Sequence, residues 1–153
     1  MATAKRTRTV PAAPDQVWEV IVDPHHMPRW WPGVKRMEDV SADRWTQVFT
    51  TKKGRPVRID YHLLQSDPPG ERGDPPGVLV WEQEIPGTPF ERVLAESITE
   101  IVLEPAEEGT QITIVQRQKL RGYSRTGGFL LRRATKDKLN EALDSLDEIL
   151  GRP

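Results

Sequence analysis

The chain has 153 residues, with 22 Lys and Arg against 23 Asp and Glu, a net charge of −1 and no cysteine. This balance excludes a global basic footprint for nucleic acid or anionic lipid. The missing thiols exclude disulfides, thiolate zinc sites and cysteine nucleophiles.

The N-terminal stretch Met1–Val10 carries Lys5, Arg6 and Arg8 with no apolar run after them, and no run of eighteen apolar residues follows anywhere. The expectation is a cytoplasmic protein without signal peptide or transmembrane segment, folded as a single domain over residues 1–153.

Lys5–Val10 alternates and contains Thr7, Thr9 and Val10, which predicts a strand. Pro11–Asp15 breaks it, and Pro14 suits the first position of a helix carrying Val17, Trp18, Val20, Ile21 and Val22. Asp23-Pro24 stops that helix. His25–Gly33 then holds one or two turns between prolines before Pro32-Gly33 ends them.

From Val34 the period changes to two. Strands are predicted at about Val34–Val40, Arg44–Thr51, Val57–Gln65, Val78–Ile85, Leu94–Leu103 and Gln111–Leu120. Ser41-Ala42-Asp43, Lys52-Lys53-Gly54 and Ala106-Glu107-Glu108-Gly109 read as hairpin connections. Asp67–Gly77 repeats Asp-Pro-Pro-Gly and reads as a proline-stiffened surface loop; Ile85–Phe90 is a shorter one.

The last stretch, Ser124–Gly151, has apolar residues at Leu131, Ala134, Leu139, Ala142, Leu143, Leu146, Ile149 and Leu150, the spacing of a long amphipathic helix. Gly151 and Pro153 mark its end. Arg132, Arg133, Lys136 and Lys138 crowd its first half and Asp144, Asp147 and Glu148 its second, an order the macrodipole disfavours. Packing on the strands must therefore hold it. A seven-stranded antiparallel sheet cannot bury a concave face alone, and this helix is its cover.

Val10-Pro11-Ala12-Ala13-Pro14-Asp15-Gln16-Val17-Trp18-Glu19-Val20-Ile21, then Asp23-Pro24, Trp30-Trp31-Pro32-Gly33-Val34 and Gly109-Thr110 resemble the START/pollen-allergen superfamily (SRPBCC), in its polyketide cyclase/dehydrase-like branch. The resemblance covers essentially the whole chain. It implies an α+β helix-grip fold: a curved seven-stranded antiparallel sheet wrapped around a long C-terminal helix, with two short helices between strands one and two. It also implies a ligand cavity between sheet and helix.

Alternation assigns the faces. If Tyr61 points inward, so do Val57, Ile59 and Leu63. Leu79, Trp81, Gln83 and Ile85 share one face, as do Ile112, Ile114, Gln116, Gln118 and Leu120. Trp45, Gln47 and Phe49 form another, and Ser97, Thr99, Ile101 and Leu103 a fifth. Glutamines on apolar faces need partners, and a few polar groups in an aromatic lining fit a ligand pocket. The expected ligand-binding residues are Trp30, Phe49, Ile59, Tyr61, Leu63, Trp81, Gln83, Ile114, Gln116, Gln118, Phe129 and Leu131. Trp30 and Trp31 read first as wedges between the short helices and the sheet, and one of them as a gate is the alternative reading. Tyr123, Ser124, Gly127, Gly128 and Phe129 mark an irregular helix start or a cavity mouth.

No spacing of His25, His26 and His62 with carboxylates completes a metal site, and Glu82 with Glu84 reads as a solvated outer face. Phosphate-binding, dinucleotide and nucleophile-elbow motifs are absent, so no cofactor is expected. The reading that follows is a binder of a small hydrophobic or aromatic molecule, lipid- or polyketide-like, working as monomer or homodimer. The resemblance also implies two alternatives. One is a cyclase or aromatase in which Tyr61, Gln116 and Gln118 direct proton transfer; the other is a protein-interaction module without a closed cavity.

Overall fold

The computed structural model describes residues 1–122 and 125–151; the expectations for Tyr123, Ser124 and Pro153 lie outside the described residues. Seven strands form one antiparallel sheet: β1 (Ala2–Val10), β2 (Arg36–Glu38), β3 (Arg44–Thr50), β4 (Pro56–Asp67), β5 (Gly77–Gln83), β6 (Leu94–Ala106) and β7 (Gly109–Leu120). Their spatial order is β1-β7-β6-β5-β4-β3-β2. Two short helices, α1 (Pro14–Ile21) and α2 (Met27–Trp30), lie between β1 and β2, and α3 (Arg125–Leu150) closes the chain. This is the α+β helix-grip architecture. Among the described residues no helix is long and apolar enough to cross a membrane.

Local chemistry explains the breaks. Pro14 opens α1, and Gln16 Oε1 accepts the Ala13 N–H at 3.0 Å. Asp23 caps the 3₁₀ turn Pro24–His26 by accepting the His25 N–H at 3.0 Å. Gly33, at φ +81°, turns the chain where an added Cβ would lie 3.3 Å from the Phe49 ring. Gly109, at φ +144°, brings the β6–β7 hairpin against the end of β1, where Thr110 Oγ1 donates to Ala12 O at 2.6 Å. That contact gives the Gly109-Thr110 pair its structural meaning.

The structure departs from the predicted boundaries at both ends of the sheet. β1 starts at Ala2, because Ala2–Lys5 pairs with Gln118–Val115 of β7. The strand expected over Val34–Val40 shrinks to Arg36–Glu38, and Asp39 follows at φ +50°. β4 runs on to Asp67 through a register shift between Leu63 and Gln65. The 67–77 loop is more than surface chain. Its 3₁₀ turn Glu71–Gly73 buries Gly73, where an added Cβ would lie 3.0 Å from Pro105 and 3.1 Å from Pro14.

At about 1.5 Å per residue, the 26 residues of α3 span roughly 40 Å. It packs along β1 and meets α2. Leu139, Ala142, Leu143 and Leu146 are completely buried in the core. Arg8 of β1 reaches Asp144 at 2.6 Å and Asp147 at 3.6 Å, giving two acids in the last turns a cation that the helix itself does not supply there.

Candidate functional site

The sheet registers place the inward side chains in cross-strand rows. One row runs Ala4, Gln116, Thr99, Trp81, Leu63; the next runs Trp45, Tyr61, Gln83. Ile114 and Ile101 pair beside the first row, with Leu79 opposite Ile101. Alternation along each strand therefore carries Tyr61, Trp81, Gln83, Ile114 and Gln116 to one concave face, as expected. All five are buried there, whereas Leu63, Ile59 and Phe49 are partly buried against the same core.

Aromatic rings cross this interior in sequence. Trp30 meets Trp31 edge-on at 5.5 Å, Trp31 meets Trp81 at 5.5 Å, Trp81 meets Trp45 at 6.0 Å, and Trp45 stacks on Tyr61 at 6.3 Å. Such pairs each add about 0.5–1.5 kcal/mol beyond their area burial. Trp30, only 1% exposed, is packed into the buried core cluster, the placement the wedge reading expects.

Polar groups are threaded between the rings. Gln116 Nε2 donates to Thr99 Oγ1 at 2.9 Å, and Thr135 Oγ1 donates to Gln118 Oε1 at 3.4 Å. Gln47 Nε2 reaches the Met27 sulfur at 3.2 Å. Trp45 Nε1, Gln83 Nε2, Gln47 Oε1 and Trp30 Nε1 are buried and find no hydrogen-bond partner among the described residues. Two of these, Trp45 Nε1 and Gln83 Nε2, belong to the residues flanking Tyr61 in its row. Burial pushes the Tyr61 phenol above its ordinary value, so near neutral pH it stays protonated.

This row also stands where interior meets surface. A cleft of about 290 Å³ touches Trp45 and Tyr61 together with Arg44, Asp60 and Glu84. A second, of about 450 Å³, touches Gln83 and Ile85 with His62 and Glu82. The outer face here carries a ladder of polar contacts: Arg44 to Glu84 at 2.7 Å, His62 to Glu82 at 3.1 Å and His62 to Glu84 at 3.6 Å. Glu82 and Glu84 are thus outer-face carboxylates, as the alternation predicts.

Helix α3 packs against the sheet, on β1 and β7. Gly128, Thr135, Leu139 and Ala142 are buried and Leu131 is half-buried on its inner face. Phe129 was expected to line the pocket, but it is 57% exposed. The helical period run back from Leu139 through Thr135 arrives at Gly128 and Leu131, and Phe129 falls outside that stripe. The expected set omits Trp45 and Trp31 of the aromatic path and, on α3, Lys138. Lys138 is half-buried, and its Nζ lies 5.0 Å from the centre of the Trp31 ring. Burial lowers its ammonium pKa to about 8.

Three comparisons with known proteins bear on this arrangement. The family described as "Polyketide cyclase / dehydrase and lipid transport" matches residues 1–151. No curated protein matches the sequence. Among solved structures, the di-domain ARO/CYC protein BexL from the BE-7585A biosynthetic pathway is similar at a TM-score of 0.75 and 20% identity. The match covers 97% of this chain and 46% of BexL, so the chain spans about half of that protein's length. CV1439 from Chromobacterium violaceum matches at a TM-score of 0.72 and 16% identity, over 99% of both chains. A START superfamily protein from Mycobacterium smegmatis matches at 0.72 and 10% identity, over 97% of this chain and 96% of its own. At such identities the likeness concerns the fold.

Proposed function

The chain belongs to the polyketide cyclase / dehydrase and lipid transport family, and from that premise we propose that it binds a small hydrophobic or aromatic molecule between the concave sheet face and α3. The ligand is lipid- or polyketide-like: flat or extended, mostly apolar, with at least one oxygen acceptor. The observation that carries this reading is the Trp45–Tyr61–Gln83 row. Two of its N–H donors, Trp45 Nε1 and Gln83 Nε2, are buried in an aromatic interior without a partner among the described residues. A buried donor left unsatisfied costs about 1–3 kcal/mol. A ligand carbonyl or hydroxyl between them recovers that cost, while Trp81 and Tyr61 supply the apolar contact.

The row favours binding over proton transfer. Tyr61 is held protonated by burial, and Gln116 is already engaged by Thr99. The test is fluorescence titration with N-phenyl-1-naphthylamine, a neutral aromatic probe. The expected Kd is micromolar, equivalent to about 8 kcal/mol, and Trp81→Ala should weaken it about tenfold. A folded protein that leaves the probe's emission unchanged at every concentration would overturn the reading.

A further inference from the structure

We propose that Lys138 is the recognition point for an acidic head group, so that the ligand is a hydrophobic carboxylic acid whose carboxylate meets the Lys138 ammonium while its apolar body lies over Trp31 and Trp81. This deepens the binding function proposed above and rests on it.

The position of Lys138 is the first ground. Leu131, Thr135, Lys138 and Ala142 follow one another at steps of four, three and four, which sets Lys138 on the sheet-facing side of α3. Its Nζ stands over the Trp31 ring at 5.0 Å, and Trp31 meets Trp81 edge-on at 5.5 Å. Trp81 in turn pairs with Thr99 and Leu63 in the middle of the concave face. The cation therefore stands over the second ring of the aromatic path that crosses the interior, next to its Trp30 end.

The second ground is charge. Among the described residues, no carboxylate lies within ion-pair distance of Lys138. On its own helix Asp137 and Glu141 are exposed, and Asp144 is taken by Arg8 of β1. From α2 the charged side chain is Arg29, exposed to solvent, and beyond it Glu38 of β2 is held by Arg36 and Arg58. A partly desolvated ammonium with only a ring face for company is costly unless an anion joins it. The lowering of its pKa to about 8 follows from the same burial and still leaves it mostly protonated at neutral pH.

The third ground is the neighbour one turn away. Thr135 lies three residues before Lys138 on the same face, and its hydroxyl touches Gln118 at 3.4 Å, a long bond that leaves the hydroxyl free to turn. A carboxylate has two oxygens; ammonium and hydroxyl offer a donor to each.

The test compares anthracene-2-carboxylate with 2-(hydroxymethyl)anthracene, two probes with the same ring system, by quenching of tryptophan fluorescence at pH 7. In the native protein the carboxylate should bind about tenfold or more tightly than the alcohol, the size of one charge-assisted hydrogen bond. Lys138→Met should abolish that preference while changing alcohol affinity by no more than about twofold, and Lys138→Arg should keep most of it. Lys52→Met, which removes an exposed charge, should change neither probe. Equal affinity of the two probes for the native protein overturns the inference. So does a Lys138→Met variant that loses both probes alike while its urea midpoint is no lower than native, since that would be a packing role. If N-phenyl-1-naphthylamine binds and the carboxylate shows no preference, only this inference falls. If none of the three compounds binds, the proposed function falls with it.

Discussion

Gln116 Nε2 donates to Thr99 Oγ1 at 2.9 Å across the β6–β7 pair, in the middle of the concave face. The amide is satisfied by the sheet itself, so a ligand owes it nothing. Gln116→Leu should cost about 1–2 kcal/mol of stability from the lost bond and the polar group left behind. Affinity for a neutral aromatic probe should move by less than about threefold, a change below 1 kcal/mol. Parallel urea melts and probe titrations check both numbers. A tenfold loss of affinity at native stability would place Gln116 in contact with the ligand instead.

The cover helix should carry much of the stability. Leu143 and Leu146 are fully buried against the sheet, and truncating either to Ala should cost about 2–5 kcal/mol, the range for buried large-to-small changes. Chemical denaturation measures it. Values within about 0.5 kcal/mol of native for both would mean that α3 does not close the sheet.

Lys138 makes stability depend on pH in a definite direction. Its folded-state pKa of about 8 lies below the ordinary 10.5. Between these values the unfolded chain binds more protons than the folded one, so stability contributed by this group rises with pH across that window. Below pH 8 the full desolvation cost is present. Lys138→Met should therefore be more stable than native at pH 7, by about 1–3 kcal/mol on the scale of 1.4 kcal/mol per pKa unit. The gap should close as pH climbs from 8 towards 10. Urea melts of the two proteins at pH 7, 8, 9 and 10 isolate this difference from other titrating groups; a gap independent of pH would contradict it.

Much of the concave face was legible because the pleat enforces it. Once Tyr61 is inward, period two carries Ile59 and Leu63 with it, and the same alternation aligned Trp81 with Gln83 and Ile114 with Gln116. What alternation could not supply is which strand stands beside which. That pairing joins Gln116 to Thr99 and turns a lone amide into a satisfied one. On α3 the difficulty was charge. Lys138 reads in sequence as one more cation of a basic half-helix, although the steps from Leu131 through Thr135 to Ala142 already put it on the inner face. Phe129 failed in the opposite sense: an aromatic near the stripe but not on it, left exposed. The acids late in α3 had no explanation within their own helix. Their partner, Arg8, lies 136 residues upstream of Asp144, and only the fold brings them together.

The most direct measurement of the central claim is a two-dimensional nitrogen–proton spectrum of the five tryptophan indole groups during titration with N-phenyl-1-naphthylamine. Trp45 and Trp81 line the interior, whereas Trp18 of α1 packs against Gly77 away from the Trp45–Tyr61–Gln83 row. A ligand held between sheet and helix should shift the Trp45 and Trp81 signals in step with probe concentration and leave Trp18 in place. Saturable probe binding that moves neither the Trp45 nor the Trp81 indole would contradict the account.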